Sequence, residues 1–349
     1  MFSKVSFKYS RYEIQIEGFA VSALSILTSD SEQNTKPEIM DLQNYSLVSE
    51  FVLHGLCTSK HLQIFFFIFF SGIYVATVLG NLIIVVTVIS DPHLLSSPMY
   101  FLLGNLSFLD IWLASFATPK MIRDFLSDRK LIPFGGCMAQ IFFLHFIGGA
   151  EMVLLVSMAY DRYVAICKPL HYMTMMNQQT CIGLVLVSWV IGFVHSISQV
   201  VFTVNLPYCG PSEVDSFFCD LPLVIKLACM DTYVLGMLMI SDSGLLSMSC
   251  FLLLLISYTA ILIAVRQHAP GGASKALSTC SAHIMVVTLF FGPCIFIYVW
   301  PFSRFSVDKL LSVFYTIFTP LLNPLIYTLR NKEMKISMKK LRNRRVTFH

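Results

Sequence analysis

Charge is what this sequence has least of. Of its 349 residues, 13% are Asp, Glu, Lys or Arg, against ~25% in an ordinary soluble domain. With 56% hydrophobic residues and a mean hydropathy of +0.72, the chain cannot cover a surface that faces water on all sides. That excludes a soluble globular protein and makes lipid the solvent for much of it. Enzyme signatures are missing too. There is no His-Glu-x-x-His pair for zinc, no Gly-x-Ser-x-Gly elbow and no phosphate-cradling glycine loop, so neither catalysis nor a cofactor is expected. Long internal repeats and low-complexity tracts are also lacking. A transporter built from two repeated halves with interrupted helices does not fit. Nor does a β-barrel, whose strands alternate polar and apolar residues, because runs such as Phe251 to Ile256 are apolar throughout.

What is there is a series of apolar runs, each near the ~20 residues that a helix needs to cross a bilayer. They cover 64–90, 98–118, 138–160, 181–204, 233–265, 277–300 and 308–329. The run 233–265 overshoots a bilayer and is expected to continue into water. Short connections, apart from the polar, Cys-rich stretch 205–232, imply an all-α, up-and-down bundle of seven transmembrane helices.

Seven spans put the two ends of the chain on opposite sides. Eight Lys or Arg residues lie between Arg330 and Arg345 against one acid, Glu333. A basic tail directly after an apolar span marks a cytoplasmic end beside anionic lipid. Nothing else in the chain resembles a nucleic-acid module, so no nucleic-acid partner is expected. Over the whole chain the Lys and Arg count is equal on the two sides; without residues 1–39 it is twelve against eight in favour of a cytoplasmic C-terminus. Asn44-Tyr45-Ser46 is a glycosylation acceptor that needs the opposite side. On this topology Cys137, Cys209, Cys219 and Cys229 are all extracytoplasmic, where disulfides persist, and four cysteines allow three pairings. Residues 1–39 read as an extension without fixed structure or role, with Met40 as the simpler start. Residues 40–329 form the membrane domain, and 330–349 a cytoplasmic basic tail with a short amphipathic helix.

Ionisable groups inside spans are costly and face a partner or a wet cavity. Asp110 lies in the second span, His145 and Glu151 in the third, His195 in the fourth and Asp242 in the fifth. Asp110 and Glu151 either bind a small cation such as sodium or form a protonated pair hydrogen-bonded to Asn81 and Asn323.

Six strings, in order and each in its own span, carry a family resemblance. Gly80-Asn81 stands in the first span, and Pro98-Met99-Tyr100-Phe101-Leu102 opens the second. Met158-Ala159-Tyr160-Asp161-Arg162-Tyr163-Val164-Ala165-Ile166-Cys167 ends the third, and Ser257-Tyr258 the fifth. Lys275-Ala276-Leu277-Ser278-Thr279-Cys280-Ser281-Ala282-His283 opens the sixth, and Pro320-Leu321-Leu322-Asn323-Pro324-Leu325-Ile326-Tyr327 ends the seventh. Over residues 40–343 the chain resembles the olfactory receptors, a branch of the rhodopsin-like G-protein-coupled receptors, and its long loop resembles their tetrapod-type (class II) members.

The resemblance implies disulfides Cys137–Cys219 and Cys209–Cys229, a plasma-membrane location, and a stimulatory, olfactory-type G protein that raises cyclic AMP. Asp161 and Arg162 would satisfy each other at rest. On activation Arg162 would swing toward Tyr258 and Tyr327, with Tyr163 and Lys275 at the same mouth. Pro324 removes a helix hydrogen bond, and Asn323 can satisfy the freed group. The implied pocket, mostly apolar with few polar anchors, holds a small volatile odorant between spans three, five, six and seven. Matching positions are Leu144, His145, Gly148, Gly149 and Met152 in the third span, and Asp242, Ser243 and Leu246 in the fifth. In the sixth they are Phe291, Cys294, Ile295 and Tyr298, and in the seventh Thr316. Leu144 stands where amine receptors carry an aspartate. A hydrogen bond between His145 and Asp242 would form the polar anchor. A receptor of the same fold sensing a metabolite outside the nose is the alternative.

Overall fold

In a computed structural model the described residues are 48–57, 59–208, 212–231, 233–268, 273–299, 307–330 and 332–346. Four long helices come first: α1 (Lys60–Ser90), α2 (Pro98–Phe125), α3 (Phe134–Cys167) and α4 (Gln178–Val204). They are followed by α5 (Tyr233–His268) and α6 (Ala273–Val299). The seventh, α7, runs through Val307–Val313, a π-helical turn at Phe314–Phe318, and Thr319–Arg330. A further helix, α8, covers Lys332–Val346. Six of the seven are long and apolar enough to cross a membrane among the described residues, and α6 adds the apolar stretch His283–Phe296. The 36 residues of α5 reach ~54 Å at 1.5 Å per residue, well beyond a ~30 Å hydrocarbon core.

Local chemistry sets the breaks. Asp91 ends α1 and caps the next helical turn by accepting from His93 N at 3.1 Å. Pro92 and Pro98 sit at first-turn positions, where a missing N–H costs nothing. Asn177 caps α4 by accepting from Thr180 N at 2.9 Å.

The helices bury small and polar residues against one another and turn apolar ones outward. Ile182, Leu186, Val190 and Val194 of α4 are exposed, as are Ile64, Phe65, Ile68 and Val75 of α1. Such faces suit lipid. The tightest crossing joins α3 and α4. A Cβ on Gly192 would lie 2.5 Å from the Phe146 carbonyl oxygen and 2.7 Å from Ala150 N, so only glycine fits there.

One element departs from the all-α expectation. Strands β1 (Glu50–Leu53), β2 (Leu131–Pro133) and β3 (Glu213–Val214) form a sheet in the order β2-β1-β3. Phe51 pairs with Ile132 antiparallel, and Val52 with Glu213 parallel. Phe51, Ile132, Tyr208, Val214, Cys219 and Val224 share its apolar core. After β1 the chain turns at Gly55, whose φ of 75° favours glycine. The disulfide Cys137–Cys219 ties the start of α3 to the β3 loop. Cys229 is also disulfide-bonded, but Cys209 lies outside the described residues, as do residues 1–39 and Asn44.

Candidate functional site

Below the sheet, a cavity of about 50 Å³ opens inside the bundle. From α3, Leu144, His145, Gly148, Gly149 and Met152 line it; α4 adds His195 and α5 adds Ser243. Phe290 and Cys294 of α6 and Tyr315 and Thr316 of α7 complete the wall, with Leu113 of α2. Phe218, Cys219 and Asp220 form the roof, held by the disulfide. The π-helical turn inserts an extra residue into α7 at this level, and two consecutive side chains, Tyr315 and Thr316, reach the wall. Gly148 leaves room, since a Cβ there would meet nothing within 4 Å.

A latch crosses the rim of the sheet. His54 bridges Asp215 Oδ1 at 3.1 Å and Glu213 Oε2 at 3.2 Å, while Lys309 Nζ of α7 donates to Asp215 Oδ1 at 2.5 Å. The Lys309 hydrogen bond, then that of His54, holds the Asp215 carboxyl below its ordinary range. The latch thus joins β1, the β3 loop and the start of α7.

Polar groups meet at two depths. Beside the cavity, His195 Nδ1 donates to Asp242 Oδ2 at 3.0 Å. The same oxygen accepts from Ser198 Oγ at 3.1 Å and Gln199 Nε2 at 2.7 Å. Deeper, Asn323 Nδ2 donates to both carboxyl oxygens of buried Asp110, at 3.0 and 2.9 Å. Both carboxyl oxygens of buried Glu151 lack a hydrogen-bonding partner. Asn81 bonds neither carboxyl. Its Nδ2 donates to Thr77 O at 3.1 Å and Pro320 O at 2.9 Å. Pro324, four residues after Pro320, has no N–H to offer that carbonyl, so Asn81 of α1 takes the donor's place. Gly80 makes room, since a Cβ there would lie 3.3 Å from Pro324 Cβ.

At the far end of α3, Asp161 is buried. It accepts from Tyr172 OH at 2.8 Å and stands 3.9 Å from Arg162 Nε. Burial, then the Asp161 charge, pushes the Tyr172 phenol upward, so it stays a donor. Arg162 Nη2 is buried without a partner. Tyr258 OH and His283 Nδ1 are hydrogen-bonded, joining α5 to α6. Tyr163 packs on Ile261 and Val265 of α5.

The profile of the family described as "Olfactory receptor" matches residues 70–344. Human Olfactory receptor 4K14 is 87% identical over 309 residues, covering 88% of this chain and all of that relative. Human Olfactory receptor 4K3 is 69% identical over 302 residues, covering 86% of this chain and 96% of the relative. Human Olfactory receptor 4K15 is 65% identical over 305 residues, or 87% and 94% of the two chains. The chain belongs to the olfactory receptor family. It is a multi-pass, odorant-sensing G-protein-coupled receptor and not an enzyme.

Of the positions matched to the family pocket, the structure of this receptor gathers Leu144, His145, Gly148, Gly149, Met152, Ser243, Cys294 and Thr316 around one cavity. Leu246, Phe291 and Ile295 pack in or against the bundle core. Phe290 takes the cavity position expected of its neighbour Phe291. Asp242 does not line the cavity either, and the expected His145–Asp242 bond is not formed. His145 Nδ1 is 2.9 Å from Ile141 O, and His195 stands between the cavity and Asp242. The side chains of Lys275, Tyr298 and Tyr327 lie outside the described residues. His195 was legible as an intramembrane ionisable group, but no signal in the sequence gave it a partner on α5. The lining residues Leu113, Phe218 and Tyr315 carry no motif that sets them apart.

Proposed function

We propose that the roofed cavity is the odorant site. Its occupation would be relayed through the Asp110–Asn323 and Asn81–Pro320 contacts to the Asp161–Arg162 end of α3. The observation that carries this reading is the cavity itself: mostly apolar, bordered by six of the seven helices and roofed by a disulfide-held loop. Its volume of about 50 Å³ is below the ~300–1,000 Å³ of drug-sized sites, which favours small volatiles.

The roof faces outward and the basic α8 lies on the cytoplasmic leaflet. The disulfides at one end and the cluster of Lys and Arg at the other support this orientation. Arg162, with one guanidinium nitrogen unpartnered, leaves Asp161 when α6 moves and meets a stimulatory, olfactory-type G protein that raises cyclic AMP. The test is a cyclic AMP assay in cells expressing the full chain with trafficking helpers, challenged with a broad panel of volatiles. Arg162→Ala should abolish every response at equal surface expression, and Gly148→Leu should abolish or shift them. Responses unchanged by Gly148→Leu would remove the cavity from the reading.

A further inference from the structure

The two imidazoles beside the cavity restrict what it accepts. His145 and His195 both line it, with ring centroids 5.7 Å apart. Each has one nitrogen already engaged. The partner of His145 Nδ1 is the Ile141 carbonyl oxygen, which only accepts, so Nδ1 carries the hydrogen. The partner of His195 Nδ1 is Asp242 Oδ2. That oxygen also accepts from the Gln199 amide nitrogen, so it is a lone-pair acceptor and His195 Nδ1 donates as well. A neutral imidazole with its hydrogen on Nδ1 presents only a lone pair at Nε2. Both free ring nitrogens are therefore acceptors. His145 Nε2 is buried without a partner, and among the described residues His195 Nε2 makes no hydrogen bond. A buried acceptor left unmatched is costly.

We infer that the ligand supplies a missing donor: a small, mostly apolar alcohol or phenol whose hydroxyl gives its one hydrogen to Nε2 of His145 or of His195. This rests on the cavity being the odorant site. A carbonyl or ether congener brings only acceptors to the pair. A protonated amine brings a charge that two neutral rings do not balance. Thr316 Oγ1 already donates to Ser312 O at 2.6 Å. Ser243, which accepts from Gln199 Nε2 at 3.3 Å, is a hydroxyl of the wall that a carbonyl ligand could use instead.

The experiment compares matched sets on one carbon skeleton, such as cyclohexanol with cyclohexanone and phenols with their methyl ethers. The readouts are cyclic AMP and the melting shift of the solubilised full-length receptor, which needs no G protein. Active compounds are expected to be alcohols or phenols at least tenfold more potent than their carbonyl or ether congeners. Replacing both rings, His145→Phe together with His195→Phe, should erase that preference, and Ser243→Ala should leave it intact. The wild-type comparison stands even if a histidine variant fails to reach the surface. Equal potency across a matched set, a hydroxyl preference that survives loss of both rings, or no alcohol or phenol giving either readout overturns the inference. If Gly148→Leu silences congeners that are otherwise equipotent, only the hydroxyl inference fails. If responses survive Gly148→Leu, the cavity reading fails with it.

Discussion

Single side chains decide most where backbones run closest. Gly192 and Gly148 stand on neighbouring helices of the receptor, yet they tolerate change differently. A methyl group on Gly192 would press into the backbone of Phe146 and Ala150, at 2.5 and 2.7 Å, and neither can yield without parting α3 from α4. Gly192→Ala should therefore cost about 1–3 kcal/mol, read as a lower melting temperature or lost surface expression. Gly148→Ala meets nothing within 4 Å and should leave both unchanged. Equal behaviour of the two variants would refute the packing argument. The sequence showed all the glycines alike. It also showed His145, His195 and Asp242 but not their pairing, because depth and rotation of α4 against α5 are set by packing. A one-residue difference in rotation exchanged Phe291 for Phe290.

At the scale of elements, α8 shows how a polar contact positions a helix that its apolar residues alone would leave free to slide. Met334 is buried, whereas Ile336 is exposed, so the apolar stripe of this amphipathic helix is narrow. Ser337 Oγ donates to Asp91 Oδ2 at 2.6 Å, and Tyr100 OH to Glu333 Oε2 at 2.9 Å. These bonds tie α8 to the turn after α1 and to α2. The Ser337 bond is the first cause that lowers the Asp91 carboxyl below its ordinary value. A lowered carboxylate stabilises the fold fully above the unfolded pKa of about 3.9 and loses that contribution as pH falls through its folded value. Anisotropy of a dye at Asn343 should thus be flat from neutral pH down to about 4 and fall in stronger acid. Ser337→Ala should bring the lower value to neutral pH. An acid response that persists in Ser337→Ala would place its origin elsewhere. Seven helices were legible as apolar runs because lipid demands their length. The sheet was not, since β1 is four residues long and its partners lie far along the chain.

For the whole molecule, the roof is a long-range construction. The Cys137–Cys219 bond closes a loop of 82 residues, for which the chain-entropy model gives about 4–5 kcal/mol. Cys137→Ser or Cys219→Ser should lower the melting temperature and abolish ligand responses. Surface-expressed Cys219→Ser receptor that keeps wild-type potency would show that the roof is dispensable. Family membership was legible in short strings at helix ends, and the structure adds a reason for two of them. Gly80-Asn81 and Pro320–Pro324 are one contact seen from both sides, with an amide donor replacing the hydrogen that proline lacks.

The strand order has a further consequence during synthesis. β1 leaves the ribosome first, but the histidine that follows it meets Asp215 only after 161 more residues have been translated. Until then the amino-terminal segment has no edge to dock on, and half of the receptor must already be threaded through the translocon. A ribosome that stalls before β3 releases a nascent chain with an uncovered mouth, an exposed apolar surface of the kind that quality-control factors in the endoplasmic reticulum can bind.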